Sequence, residues 1–153
     1  MRVYMGQLDT PVGILEVRGT EKGICSAQFV NQRTTGTTNH IIKDCLEQLE
    51  DYFHKRRKIF TVPLSLQGTD FQQHIWKGIM AIPYGKTITY ADLAALTGNA
   101  GAARAAGTAI GRNPLAILIP CHRAVGKSGK ITGFAWGIWR KEWLLKHEKK
   151  EPA

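Results

Sequence analysis

The stretch Asn113-Pro114-Leu115-Ala116-Ile117-Leu118-Ile119-Pro120-Cys121-His122-Arg123 constrains this chain more than any other. Its apolar run, Leu115 to Ile119, has the length of one buried strand, and Pro114 and Pro120 stop regular hydrogen bonding at each end. Cys121 is therefore expected where a strand breaks. A thiol followed at once by an imidazole and a guanidinium lies in a local positive field, which lowers a cysteine pKa and favours the nucleophilic thiolate. The residues leave a second reading open, in which Cys121 is a small buried hydrophobe and His122 a satisfied core histidine.

A chain of 153 residues holds one ordinary domain or two small ones. With 43% hydrophobic and 22% charged residues it falls in the globular range, which excludes a disordered chain. The net charge of +9 is uneven: residues 1–68 carry nine basic and seven acidic side chains, residues 69–153 twelve and five. The back half is the one drawn to a polyanion. Cys25, Cys45 and Cys121 are odd in number and lack metal-ligand spacing, and Met1 to Thr10 lacks the apolar core of a signal peptide, so a reducing intracellular compartment is expected. No apolar run approaches the roughly 20 residues of a spanning helix, which predicts a soluble protein with no membrane partner, in cytoplasm or nucleus.

Val3 to Leu8, Ile14 to Val17 and Ile24 to Val30 alternate in part and are separated by turn residues, predicting an antiparallel sheet of about three strands. Asn31 to Asn39 is polar and reads as a mobile loop. From His40, the apolar positions Ile41, Ile42, Cys45, Leu46, Leu49, Tyr52 and Phe53 follow helical spacing, and Lys55-Arg56-Arg57-Lys58 suits the helix C-terminus. Cys25 and Cys45 read as packed residues. No four-ligand metal set can be assembled from the cysteines with His40 or His54, so no metal is expected.

Pro63 to Thr69 is the candidate linker, dividing a scaffold of residues 1–66 from a domain of residues 67–153. Phe71, Ile75, Trp76 and Ile79 mark a helical face that ends near Pro83-Tyr84-Gly85. Thr89 reads as the N-cap of a short helix, Tyr90 to Leu96, closed by Gly98, and a second helix follows Gly101. Helix, tight turn, helix is the helix-turn-helix pattern, with the second helix offered to DNA. That helix is made almost wholly of small residues: Ala102, Ala103, Ala105, Ala106, Gly107, Thr108 and Ala109 leave Arg104 as the long side chain before Arg112. Small residues permit close helix packing; they equally permit approach to a narrow minor groove with one arginine projecting into the base stack.

The run Asn113-Pro114 to Pro120-Cys121-His122-Arg123, with Tyr90 and Arg104 upstream and the tail Lys141-Glu142-Trp143-Leu144-Leu145 to Glu148, resembles the O6-alkylguanine-DNA alkyltransferases. The likeness is close from Phe71 to Glu148 and weaker before Gly68, where Leu8-Asp9-Thr10-Pro11-Val12-Gly13 is similar to the family's opening hairpin. It implies an α+β fold: a small antiparallel sheet plus helix of ribonuclease H-like type, then a mostly helical domain with a winged helix-turn-helix. It also implies DNA repair without a cofactor. A monomer would flip O6-alkylguanine out of duplex DNA and move the alkyl group once, irreversibly, to Cys121. Cooperation between copies on DNA and activity on O4-alkylthymine stay open.

The resemblance assigns Cys121 as nucleophile, His122 as its base and Glu148 as the carboxylate that orients His122. Tyr90 becomes the donor that stabilises the departing guanine, and Asn113 ties the helix-turn-helix to the active-site segment. Ala102, Ala103, Arg104, Gly107, Thr108, Tyr90 and Arg123 would meet DNA, Arg104 filling the space of the flipped nucleotide. Ile110, Ala124, Phe134, Ala135 and Trp136 would shape the substrate pocket, with Gly126 to Gly137 as its closing loop. Ala124 stands where the motif usually has valine. Thr132-Gly133-Phe134-Ala135-Trp136 replaces a Gly-Gly-Tyr loop, so Trp136 is expected to narrow access for benzyl-sized groups. Two rivals remain: a non-catalytic alkyltransferase-like lesion binder, against which the intact Cys121-His122 pair argues, and a helix-turn-helix regulator, which leaves the Pro-Cys-His-Arg stretch unexplained.

Overall fold

The alternating segments at the start of the chain form strands β1 (Tyr4–Thr10), β2 (Gly13–Thr20) and β3 (Gly23–Val30), an antiparallel sheet of order β1-β2-β3. The computed structural model describes residues 2–149. Thr10 closes the first turn: its Oγ1 donates to the Gly13 carbonyl at 2.6 Å and accepts from the Val12 amide at 3.1 Å. Gly13 there has φ 119°, a conformation that favours glycine. Helix α1 (His40–Phe53) packs on β1 and β2 and buries Ile41, Ile42, Cys45, Leu49 and Tyr52, while the Asn39 side chain caps it by accepting from the Ile42 amide. Gly6 permits the approach, because a Cβ there would stand 2.7 Å from Leu46 Cδ1.

Two expectations change in this part of the chain. The polar segment after β3 is fastened to β1: the Met5 amide donates to Thr37 O at 2.9 Å, and Gln7 Nε2 donates to Gln32 O and Thr34 Oγ1. Helix α1 stops at Phe53, so Lys55 to Lys58 lies beyond its last turn rather than within it. Lys55 has φ 62°, which the helix cannot continue through, and Arg56 pairs with Asp51 at 3.1 Å.

The expected strand from Leu115 to Ile119 does not form. Only Leu115 pairs, in a single parallel bridge with Ala27 of β3, where Ala27 N–H donates to Pro114 O and Ala116 N–H to Ala27 O, both at 2.9 Å. Ile117 then turns the chain with φ 70°. A β-branched residue is strained there, and burial of every side chain from Leu115 to Ile119 holds it. An apolar run reports burial and leaves the backbone path undetermined.

By contact, Pro114–Ala116 group with the chain up to Gln67 as one compact unit, and Gly68–Asn113 with the chain from Ile117 onward as another. The second unit holds helices α2 (Asp70–Met80), α3 (Tyr90–Leu96), α4 (Ala103–Gly111) and α5 (Ile138–Lys149), with the two-residue strands β4 (Ile88–Thr89) and β5 (Ala124–Val125) paired in parallel. Thr69 and Gln72 cap α2 reciprocally, and Thr89 caps α3 by accepting from the Asp92 amide. Gly98, at φ 95°, ends α3 and opens the turn into α4. Trp76 of α2 is buried and donates its Nε1 hydrogen to Ala109 O at 2.9 Å, which fixes α4 by a group that cannot be left unpaired in the core. The fold is α+β, and among the described residues no helix is long and apolar enough to cross a membrane.

Candidate active site

Asn113 follows α4 and reaches the segment that carries the cysteine. Its Nδ2 donates to Ile119 O at 2.9 Å, and its side chain also hydrogen-bonds the Cys121 thiol. Cys121 opens a single 3-10 turn, Cys121–Arg123, and is 1% exposed. Burial pushes its thiol well above the ordinary range, and the Asn113 bond and the charge of Lys141 offset only part of that rise. Burial therefore works against the thiolate that the adjacent basic residues are expected to favour. The neighbours expected to lower the pKa face Glu148 instead.

Glu148 comes from α5 and gathers its partners around one carboxylate. His122 Nε2 lies 2.5 Å from Oε2, Arg123 donates Nε to Oε1 at 2.9 Å and Nη2 to Oε2 at 3.1 Å, and the Gly85 amide donates to Oε1 at 3.2 Å. Burial alone would raise this carboxyl, but the hydrogen bonds of His122 and Arg123 and the charge of Arg123 hold it far below the usual carboxylate range. His122 is itself lowered, first by burial, with Glu148 opposing and the charges of Arg123 and Lys141 adding to the fall. The ring is thus neutral, its Nε2 hydrogen given to Glu148, and its buried Nδ1 has no protein partner. That leaves one ring nitrogen unpartnered in the turn that also carries the Cys121 thiol. Arg123, expected on the DNA surface, is corrected to a buried structural ion: it is 6% exposed and also donates Nη1 to Ile82 O at 2.7 Å.

A cavity of about 410 Å³ is lined by Tyr90 of α3, by Gly107, Ile110 and Gly111 of α4, and by Gly133, Phe134 and Ala135. Of the five expected pocket residues, Ile110, Phe134 and Ala135 line it. Ala124 does not: it is fully buried in β5. Trp136 does not either, and instead meets Phe134 edge-on, ring centroids 5.2 Å apart. The Tyr90 hydroxyl lies 3.1 Å from Thr132 Oγ1 and accepts from Lys141 Nζ at 3.4 Å.

Helix α4 buries Ala106, Ala109 and Ile110. Of the residues there expected to meet DNA, Arg104 and Thr108 are exposed, and Ala102, Ala103 and Gly107 are half-buried. A surface groove of about 610 Å³ beside Arg104 also takes in Thr69, Phe71 and Gln72 from the start of α2. On α4 itself the other exposed residues, Ala105, Thr108 and Gly111, are small.

Sequence reasoning missed Lys141 and Thr132, and it missed that Arg123 pairs with Glu148. One signal for Lys141 was present: Lys141, Leu144, Leu145 and Glu148 fall at i, i+3, i+4 and i+7, one face of a helix, and all four are buried.

Comparison with known proteins gives the same direction. A family model described as "6-O-methylguanine DNA methyltransferase, DNA binding domain" matches residues 70–150, and "6-O-methylguanine DNA methyltransferase, ribonuclease-like domain" matches residues 3–66. The methylated-DNA–protein-cysteine methyltransferase of Mycobacterium tuberculosis is 40% identical, the match covering 96% of this chain and 93% of the relative. The crystal structure of Mycobacterium tuberculosis O6-methylguanine methyltransferase superposes with a TM-score of 0.89 at 40% identity, over 99% of this chain and 96% of that one. A structure of Mycobacterium tuberculosis OGT in complex with DNA gives 0.85 at 42% identity, over 94% and 91%. With both halves of the chain matched and the relatives covered almost end to end, this protein belongs to the 6-O-methylguanine DNA methyltransferase family.

Proposed function

We propose that this protein repairs alkylated DNA by direct reversal, taking the alkyl group from O6 of guanine onto Cys121 Sγ. Sulfur attacks the alkyl carbon as the carbon–oxygen bond breaks, and guanine leaves with the bonding pair. The thiol proton passes to His122 Nδ1, directly or through one water, and a proton returns to the departing base. The product is a thioether, which has no easy route back to a thiol, so each molecule acts once.

One observation carries the reading: His122 turns Nε2 to the Glu148 carboxylate and leaves its buried Nδ1 without a hydrogen-bond partner, in the same turn as the buried Cys121 thiol. A thiol whose resting form is neutral stays inert until a substrate brings the carbon to it. Asn113 holds the thiol and the Ile119 carbonyl together. The target guanine enters the cavity after leaving the stack, Tyr90 donates to it, and Arg104 fills the gap it leaves. Duplex DNA containing O6-alkylguanine is the partner, met by the small-residue face of α4. Residues 1–66 serve as scaffold and residues 67–153 as the alkyltransferase domain.

The test is intact mass after incubation with duplex DNA carrying one O6-methylguanine, followed by peptide mapping. One added methyl on Cys121, saturating at one per protein, is the expected result. Tight lesion-selective binding with no mass change would replace this reading with lesion recognition alone.

A further inference from the structure

Beyond α2 the chain makes a tight turn at Pro83-Tyr84-Gly85. Lys86 N–H closes it onto Pro83 O at 3.0 Å, and Gly85, the third of its four residues, has φ 81°. That is the type II form, in which the third residue takes a positive φ and is therefore glycine. The type I form, open to most residues, turns over the peptide between the second and third residues, so that its N–H faces the opposite way. Gly85 thus decides where one backbone hydrogen points.

It points at Glu148. The amide donates to Oε1 at 3.2 Å, and the approach is close: a Cβ on Gly85 would stand 3.3 Å from the Glu148 carbonyl oxygen. The same turn grips Arg123, the other strong partner of that carboxylate. Ile82 O accepts from Arg123 Nη1 at 2.7 Å, and the guanidinium carbon lies over the Tyr84 ring, 5.9 Å from its centroid. Two residues past Lys86, β4 begins, and it pairs with β5, which follows Arg123 directly. A carboxylate offers about four lone-pair sites. Arg123 takes one on each oxygen, His122 one on Oε2 and the Gly85 amide one on Oε1. The amide is the donor among them that does not titrate. A carboxylate with every site taken has one orientation, and it holds an imidazole proton less tightly than one with a site to spare.

We propose that Gly85 is a positioning residue for alkyl transfer: its amide, aimed by the type II turn, holds the Glu148 carboxylate in the orientation that keeps His122 set to take the Cys121 proton. The inference rests on the alkyl-transfer reading above. It gives a part in the chemistry to a turn that reads in the sequence only as the end of a helix.

The experiment replaces the Gly85 amide by an ester, with glycolic acid introduced at that position by nonsense suppression. The ester removes the N–H and adds no side chain. An ester at the Lys86 amide is the control: it removes the hydrogen that closes the turn and leaves the bond to Glu148. Single-turnover transfer from free O6-benzylguanine is measured against pH for both. Losing a hydrogen bond to a charged group predicts a rate about tenfold lower for the Gly85 ester. The acid limb of its pH profile moves up by about one unit, because the carboxylate released from the amide holds the imidazole proton more tightly. The titratable and charged groups that act on His122 are Glu148, Arg123 and Lys141, and those that act on Glu148 are His122 and Arg123; the ester alters none of them. The control ester leaves the limb in place. An unmoved limb in the Gly85 ester, or the same shift in both esters, would overturn the inference and leave Gly85 a turn residue. If the Gly85 ester does not fold, Gly85→Ala, which is strained at φ 81°, is held to the same comparison. A wild type that transfers nothing to Cys121 rejects the alkyl-transfer reading and the inference together. A wild type that transfers, with a limb that the ester does not move, rejects only the inference.

Discussion

His122 Nε2 and Glu148 Oε2 approach to 2.5 Å with both side chains out of water, and the same carboxylate neutralises Arg123. Glu148 therefore has two functions that one substitution removes together. Glu148→Gln loses the orientation of His122 and leaves Arg123 buried without a counter-charge. Breaking a buried pair this way costs about 3–5 kcal/mol of folding stability. The transfer rate is expected to fall by about a hundredfold, the size of a typical general-base contribution. Urea unfolding and single-turnover methyl transfer measure the two losses separately; an unchanged rate in a folded Glu148→Gln protein would remove Glu148 from the chemistry.

The pH dependence follows from the same groups. The His122 pKa is lowered in the folded protein from an ordinary 6.5, so as pH falls below 6.5 the unfolded chain takes up a proton that the native state refuses. Stability drops in that window, by at most about 1.4 kcal/mol per pH unit for one proton. Glu148 acts with the same sign lower down: its folded pKa lies below the ordinary 4.5, so its contribution is present above 4.5 and is lost as pH falls beneath it. The transfer rate follows the neutral imidazole and falls on the acid side at a pH below 6.5. Chemical denaturation and transfer rates across pH 4 to 8 check both; a transfer rate that halves above 6.5 would contradict a neutral resting His122.

Much of this was legible in the chain before any coordinates. Period-2 alternation with turn residues located three strands, and the N-cap read at Thr89 stands where α3 begins. The path of residues 114–119 was not legible, because burial and strand formation write the same apolar letters. The state of the thiol was not legible either. Adjacent basic residues argue for a thiolate only if their charges face the sulfur, and here the carboxylate of Glu148, 25 residues beyond Arg123, collects them. Long-range pairing of that kind leaves no local spacing to read. Lys141 could have been found by helical phase, but a lysine on an apolar face reads first as an error in phase.

Arg104 is exposed on a helix whose other outward residues are small. If it fills the space of a flipped nucleotide, Arg104→Ala should slow transfer from duplex O6-methylguanine by about tenfold to a hundredfold, the worth of about 1–3 kcal/mol of lost stacking. Transfer from free O6-benzylguanine should change by less than about twofold, since no base pair has to be opened. Equal losses on both substrates would remove the flipping role from Arg104. Cys121→Ala is the companion control and should bind the damaged duplex without any mass change.

Phe134, not Trp136, forms the wall of the cavity, and Trp136 supports it from the edge. The two substitutions should therefore differ in kind. Phe134→Ala removes the wall itself and should raise the rate for benzyl-sized groups relative to methyl, the ratio shifting by about tenfold, the worth of about 1–3 kcal/mol for pocket fit. Trp136→Gly removes only the support behind Phe134, an edge-on aromatic pair worth about 0.5–1.5 kcal/mol, so it should soften the same ratio by less. Paired single-turnover rates on O6-methylguanine and O6-benzylguanine duplexes decide it. A larger shift for Trp136→Gly than for Phe134→Ala would mean that the indole, and not the phenyl ring, sets the width of the site when substrate is bound.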